Sequence, residues 1–279
     1  MSIGVLFAVL GAAFLHALWN ALIKTGASRL GAMIILSIGE VPIGLAVAFF
    51  RPFPAPEVWK WVAASVCTHF FYKFFLTYAY DRGDLSRVYP IARGAAPLIV
   101  VLFGTVFLPG DVVSPHEYAG VLLLGLGILL MAQGVFASGE NRKLLPFALG
   151  SACATASYTV IDGLGARVSG DAIGYVAWIF VADGLLFVSV MVSHHGARVL
   201  PQDTRAWTTG MLASAASYGA YAVSVWAMTI APIAVVAALR ETSILFAVLL
   251  GEVVFGEVMT RSKALAALII VSGVILTRL

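Results

Sequence analysis

Residues 103–130 read FGTVFLPGDVVSPHEYAGVLLLGLGILL, and residues 250–277 read LGEVVFGEVMTRSKALAALIIVSGVILT. Each is an apolar run, a short polar turn and a second apolar run. A shift of 148 residues sets Val100 on Val248, Val106 on Val254 and Phe107 on Phe255 without a gap, and reaches back to Val88 on Val236. After a two-residue change in the turn, Gly127 falls on Gly273. Nearer the N-terminus, WNALIKTGA at 19–27 is matched by YTVIDGLGA at 158–166. The matches keep their order along the chain, which predicts a duplicated unit.

The rest of the 279 residues has the same character: 61% are hydrophobic and only 11% charged, with a mean hydropathy of +0.98. A soluble domain carries about a quarter charged residues, so no water-facing shell can be built around one core. That excludes an ordinary cytosolic enzyme and a disordered segment. The net charge of +3 leaves no nucleic-acid footprint. Cys67 and Cys153 both sit in apolar runs and suggest neither a disulfide framework nor a metal cluster. The apolar residues must face lipid.

A membrane-spanning helix needs about 20 mostly apolar residues. Hydrophobic runs between charge and Pro/Gly breaks give ten, centred near Gly11, Glu40, Phe70, Ala96, Gly125, Thr155, Asp183, Tyr218, Leu245 and Ile270. The runs lack the dyad alternation of barrel strands. The opening MSIGVLF has no charged n-region, which predicts no removable signal peptide. The expected fold is an all-α integral membrane protein whose ten transmembrane helices form two five-helix repeats, 1–138 and 144–279. Since five is odd, the second repeat enters the membrane inverted. Inverted repeats are a transporter signature, with the solute site near the midplane between them.

Charged groups inside a bilayer cost roughly 2.5–3.5 kcal/mol each. Glu40, Lys73, Arg93, Asp183, Arg240 and Glu241 nevertheless fall well inside the predicted spans, with His16, His69 and Asp162 less securely so. Six unpaired central charges would cost roughly 15 kcal/mol, so some must pair and others face a wet cavity. His16, Asn20 and Lys24 share one face of span 1 at four-residue spacing, beside Trp19. His69, Lys73 and Thr77 repeat the pattern on span 3, beside Tyr72. Span 6 carries Ser151, Thr155, Tyr158 and Asp162 as a stripe, and span 8 carries Ser214, Ser217, Tyr218, Tyr221 and Ser224. Small polar residues of this kind also serve as ordinary glue between helices.

Prolines mark spans 4 and 9. Pro90 and Pro97 bracket Arg93, while Pro232 opens the span whose middle is Arg240-Glu241-Thr242-Ser243. Under the 148-residue shift Arg93 lies opposite Glu241, so these two are expected to flank the cavity and to pair in one conformation. A one-residue slip sets Arg93 opposite Arg240 instead.

The FLHALWNALIK opening, the YPIARGAAPL run and the closing LGEVVFGEVMT, set in ten short spans, resemble the EamA-type drug/metabolite transporters over essentially the full chain. The resemblance implies alternating access by two inverted five-helix repeats around a cavity lined by spans 1, 3, 4, 6, 8 and 9, and export of small metabolites. The LGE-like turn is present as Phe255-Gly256-Glu257; its first-half counterpart, Leu108-Pro109-Gly110-Asp111, departs from the pattern, and both read as loop caps.

The candidate substrate-binding residues are His16, Trp19, Asn20, His69, Tyr72, Lys73, Arg93, Tyr158, Tyr221, Arg240 and Glu241. Arg93, Lys73 and Arg240 would favour a carboxylate, aided by the half-helix N-terminus at Pro232. Trp19, Tyr72, Tyr158, Tyr218, Tyr221 and Trp226 would suit an organic cation. A zwitterion satisfies both sets, so a small polar or zwitterionic metabolite is expected. No GxxxxGK[ST] occurs, so the drive is an ion gradient or the solute's own; His16, His69, Glu40 and Glu241 are the candidate proton carriers. No cofactor, metal or catalytic residue is expected. The expected partners are a solute and the lipid of a bacterial inner (plasma) membrane, for a monomer or homodimer.

Orientation stays open. Most Lys and Arg outside the spans fall in the loops near 24–29, 82–87, 142–143, 198–205 and 261–263, against Arg51, Lys60, Arg167 and Arg278 on the other side. The positive-inside rule then puts both termini outside the cytoplasm, whereas the resemblance implies cytoplasmic termini. The rival readings are an intramembrane enzyme, against which stand the missing HExxH and GxSxG motifs, and a multi-span receptor or scaffold.

Overall fold

The computed structural model describes residues 1–24, 29–80, 85–108, 110–131, 145–255 and 260–279. Its helices are α1 (Ile3–Lys24), α2 (Arg29–Phe49), α3 (Trp59–Tyr80), α4 (Leu85–Phe107), α5 (Pro115–Met131), α6 (Leu145–Ser169), α7 (Ala172–His195), α8 (Thr204–Met228), α9 (Ile233–Arg240), α10 (Ser243–Phe255) and α11 (Arg261–Leu276). Together α9 and α10 make the ninth span, so the ten predicted spans are all present near their predicted centres. The stretches Ile3–Ile23, Leu30–Phe49, Ala172–His195 and Ile233–Leu250 are long and apolar enough to cross a bilayer. Many large apolar side chains point outward, among them Phe7, Leu102, Leu126 and Val253. Cys67 and Cys153 are free and exposed on that surface.

Local chemistry sets the helix ends. Ser114-Pro115-His116-Glu117 forms a capping box: Glu117 N–H donates to Ser114 Oγ, and Ser114 N–H donates to Glu117 Oε2 at 2.9 Å. Asp171, Asp203 and Thr260 cap α7, α8 and α11.

Packing reveals the duplication. If α1–α3 are exchanged with α6–α8, α4 with α9–α10, and α5 with α11, the neighbours are exchanged too. The pair α1/α8 becomes α6/α3, α4/α6 becomes α1 with α9–α10, and α2/α8 becomes α7/α3; all of these pairs are in contact. The pairs α2/α7 and α5/α11 map onto themselves and stand on the pseudo-twofold axis.

At both axial crossings glycines let the backbones touch, and their surroundings match across the axis. A Cβ on Gly44 would lie 2.8 Å from Ala177 O and 2.9 Å from Val181 Cγ2; one on Gly184 would lie 2.8 Å from Ser37 O and 2.6 Å from Val41 Cγ2. At the other crossing, a Cβ on Gly127 would meet Ile270 and Ala266 O, and one on Gly273 would meet Leu124 and Gly120 O. Gly127 and Gly273 are the pair that the sequence alignment superimposes.

A backbone oxygen cannot move aside as a side-chain tip can. Gly184→Val is therefore expected to destabilise the fold by ~1–3 kcal/mol through overpacking, read as a lower unfolding temperature in detergent. Gly11→Val, where a Cβ meets open space, is the control expected to leave that temperature unchanged.

Candidate functional site

Two buried polar clusters lie between the halves, one helical turn apart. The first centres on Asp162 of α6, which is fully buried. Tyr221 of α8 donates its hydroxyl to Asp162 Oδ2, and Tyr175 of α7 donates to Oδ1 at 3.2 Å. His69 Nδ1 of α3 stands 4.0 Å from Oδ2 and within bonding distance of Ser65. The His69 ring stacks on Tyr158 at 4.2 Å and meets the edge of Tyr221 at 5.4 Å, while Tyr72 packs edge-on against Tyr158 at 5.5 Å.

Arg240 closes this cluster. Its guanidinium lies 5.8 Å from the Tyr158 centroid and 5.9 Å from that of Tyr221, and Nη2 donates to Thr159 Oγ1 at 3.4 Å. Arg240 Nε is 3.8 Å from Glu241 Oε1, and both residues are buried. They stand where the ninth span changes pitch. Thr242 N–H bonds Leu239 O, Ile244 N–H bonds Glu241 O and Leu245 N–H bonds Thr242 O, so i→i−3 bonds replace the α-helical ones. A mid-helix 3₁₀ step of this kind is a hinge geometry. Every residue of α9 is buried, so the step places Arg240 and Glu241 inside the protein.

The second cluster holds Lys73 of α3 between two carboxylates. Lys73 Nζ donates to Asp183 Oδ2 at 2.5 Å and to Ser37 Oγ at 2.8 Å, and stands 3.9 Å from Glu40 Oε2. Ser217 of α8 donates to Glu40 Oε1 at 2.8 Å. The ammonium also lies 5.0 Å from the Phe187 ring centroid.

Seven of the predicted site residues thus fall in these two clusters: His69, Tyr72, Tyr158, Tyr221, Arg240 and Glu241 in the first, Lys73 in the second. Predicted proton carrier Glu40 joins Lys73. On α1, Trp19 Nε1 donates to His16 Nδ1 at 3.1 Å and Asn20 Nδ2 donates to His16 O at 2.7 Å, while the Trp19 body packs with Met33, Phe187 and Met191. His16, Trp19 and Asn20 thus bond to one another on α1, and Trp19 shares an apolar cluster with Phe187, the ring beside Lys73. Arg93 sits on the first half of α4, where the side chains lie outside the described residues; the expected Arg93–Glu241 pairing lies there too.

Three expectations are corrected. The half-helix N-terminus after Pro232 is not left open: Asp111 Oδ2 takes the first amide, Ile233 N–H, at 2.8 Å. Asp111 is therefore more than a cap for its own loop; it caps a helix of the other half. Glu257, its counterpart in the second half, lies outside the described residues. The proposed aromatic cage is also smaller than expected. Trp226 points outward, Tyr218 packs on Phe180, and the cationic place against Tyr158 and Tyr221 is filled by Arg240.

Asp162, Ser65, Tyr175, Thr159, Ser37, Asp183 and Ser217 are the hydrogen-bonding members missing from the predicted site list. Ser65 lies four residues before His69 and extends the same stripe. Among the described residues no group of three or more His, Cys, Asp or Glu is placed to hold a metal ion.

The EamA-like transporter family matches the chain over residues 2–133 and again over 142–279. The chain belongs to this family. Its two matches coincide with the two halves that the packing exchanges. No curated protein matches the chain. A solved structure titled only "Crystal structure of protein" superposes with a TM-score of 0.75 at 20% identity, over 98% of this chain and 94% of that one, a likeness of fold. This EamA-like chain is accordingly an integral membrane protein of a transporter family, and its buried polar clusters are candidates for the transport path.

Proposed function

We propose that the chain is a secondary active transporter, working as an exporter in a bacterial inner membrane, that moves a small polar or zwitterionic metabolite by alternating access coupled to protons. The observation that supports this reading most is the Asp162–Arg240 pair of opposite charges. Both are buried on the same aromatic group, with Tyr221 touching each. Arg240 suits a carboxylate, and Asp162 supplies the opposite charge for an ammonium group.

The test is counterflow in proteoliposomes with a panel of isotope-labelled amino acids, repeated with an imposed pH gradient. Exchange of at least one panel member, and its accumulation against a gradient when protons flow the other way, is expected. A sealed preparation of folded protein that exchanges none of the panel would sink the solute class.

Alternating access needs one closed side, and the Arg167–Asp111 clasp is suited to that duty. Arg167, at the end of α6, donates to Asp111 Oδ1 at 2.8 Å, to Met228 O at 2.8 Å and to Ala231 O at 3.1 Å, while Asp111 holds Ile233 N–H. The clasp ties the α4–α5 turn of one half to the α8–α9 turn of the other. Asp111→Ala is expected to free that side, so that Ala231→Cys, at a buried position whose carbonyl Arg167 holds, reacts at least several-fold faster with a membrane-impermeant maleimide. An unchanged labelling rate would assign the clasp to helix capping alone.

A further inference from the structure

We infer that Glu40, Lys73 and Asp183 form a one-proton coupling site, with the proton held on Glu40 and Lys73 standing where a metal cation would otherwise be needed. This deepens the transport reading and rests on it for the word coupling, though the site itself can be tested without any solute.

Charge counting carries the argument. Glu40 and Asp183 are each 1% exposed and Lys73 5%. With all three ionised the cluster holds one uncompensated negative charge in a low-dielectric interior, where an unbalanced charge is neutralised or expelled. One proton balances it. A bound metal ion would instead sit beside an ammonium only 2.5 Å from Asp183, with like charges in contact. Geometry then places the proton. Asp183 Oδ2 is held by a close charge-assisted bond from Lys73. Glu40 has the Ser217 hydroxyl on Oε1 and stands 3.9 Å from the ammonium, and among the described residues its Oε2 meets no hydrogen-bond partner. A proton on that oxygen neutralises the carboxylate that lacks a close charge-assisted bond. Asp183 Oδ1 is likewise unpartnered among the described residues.

Two further features separate this cluster from a static salt bridge. The α2/α7 crossing is otherwise pseudo-symmetric, with Gly44, Val41 and Ser37 answering Gly184, Val181 and Ala177. In that register Glu40 answers Phe180 and Asp183 answers Ile43, so the charges are added to one side of an axial contact that packs without them. The cluster also shares three helices with the Asp162 site: α3, α8 and α7, which carries both Asp183 and Tyr175. On α3, Lys73 follows His69 by four residues; on α8, Tyr221 follows Ser217 by four. Four residues rise about 6 Å, so a shift of α3 or α8 driven at one site is felt at the other. The charged groups facing Glu40 among the described residues are Lys73 from α3 and Asp183 from α7; α8 contributes only the Ser217 hydroxyl. When Glu40 releases its proton the O–H bond breaks, the proton passes to water, and Lys73, still an ammonium, is shared between two carboxylates.

The test is infrared spectroscopy of the C=O stretch of protonated carboxyl groups, in detergent at neutral pH, together with pH-driven accumulation in proteoliposomes. Wild type is expected to show one buried protonated carboxyl. Glu40→Gln and Asp183→Asn should each show none, because either leaves one carboxylate of this cluster to balance one ammonium. Lys73→Met should show two. Should Lys73→Met fail to fold, the isosteric Gln and Asn variants still decide the matter. Counterflow of a panel amino acid in Glu40→Gln should lose its dependence on pH, and accumulation driven by a pH gradient should disappear. The inference is overturned by a carboxyl band that ignores all three substitutions, or by accumulation that follows sodium. If the bands follow the pattern but no panel member moves, the proton site stands and the transport reading falls. If pH drives uptake while the bands stay fixed, the reverse holds.

Discussion

Replacing Asp162 by alanine should lower the stability of the folded protein by ~2–6 kcal/mol, at ~1–3 kcal/mol for each buried hydroxyl left without an acceptor. The carboxylate accepts from Tyr175 and Tyr221 and faces His69 at 4.0 Å. Among the described residues Asp162 is the acceptor that both tyrosine hydroxyls use, and the gap left when the side chain ends at Cβ lies among residues of α3, α6, α7 and α8. Asp162→Asn keeps one acceptor oxygen and should recover part of the loss. The measurement is thermal unfolding in one detergent, with both variants beside wild type. Solute exchange should vanish in Asp162→Ala even below its unfolding temperature. An alanine variant as heat-stable as wild type would mean that the tyrosines find other acceptors and that Asp162 is not the hub of this cluster.

The second large effect concerns Arg240. Arg240→Ala should cut solute exchange by roughly tenfold to a hundredfold, the equivalent of one charge-assisted hydrogen bond of ~1.5–3 kcal/mol. Arg240→Lys should restore only part of it, since an ammonium cannot stack its charge as a plane against Tyr158 and Tyr221. The split between binding and structure is read from the substrate concentration giving half-maximal exchange. A rise in that concentration, with little change in unfolding temperature, marks Arg240 as a solute contact. A fall in stability with unchanged exchange per folded molecule would reduce it to a tie between α9 and α6.

The ten spans, their centres and the pairing of halves are written in composition and periodicity because lipid leaves few alternatives. A stretch of about 20 apolar residues has to satisfy its own backbone, and a helix does so within the segment. The Gly127–Gly273 equivalence is readable for the same reason, since close approach at a crossing demands glycine on both copies. The stripes on spans 3, 6 and 8 are equally plain, and they carry His69, Tyr158 and Tyr221, which meet once the helices pack. Glu40, Lys73 and Asp183 also stand out at once, being too costly in a membrane to be idle.

Spacing along one helix says nothing of which helix faces it. That Lys73 meets Asp183, 110 residues away, rather than a charge on a sequence neighbour, follows from the α2/α7 and α3/α7 contacts. That Asp111 caps α9, and so occupies an end which looked open, follows from the α4–α5 turn lying beside the α8–α9 turn. Arg240 filling the aromatic group depends on a pitch change at Glu241–Thr242, where local hydrogen bonds shorten by one residue. Burial is a property of one segment and can be read from it, whereas partnership belongs to pairs of helices and exists only once they have packed.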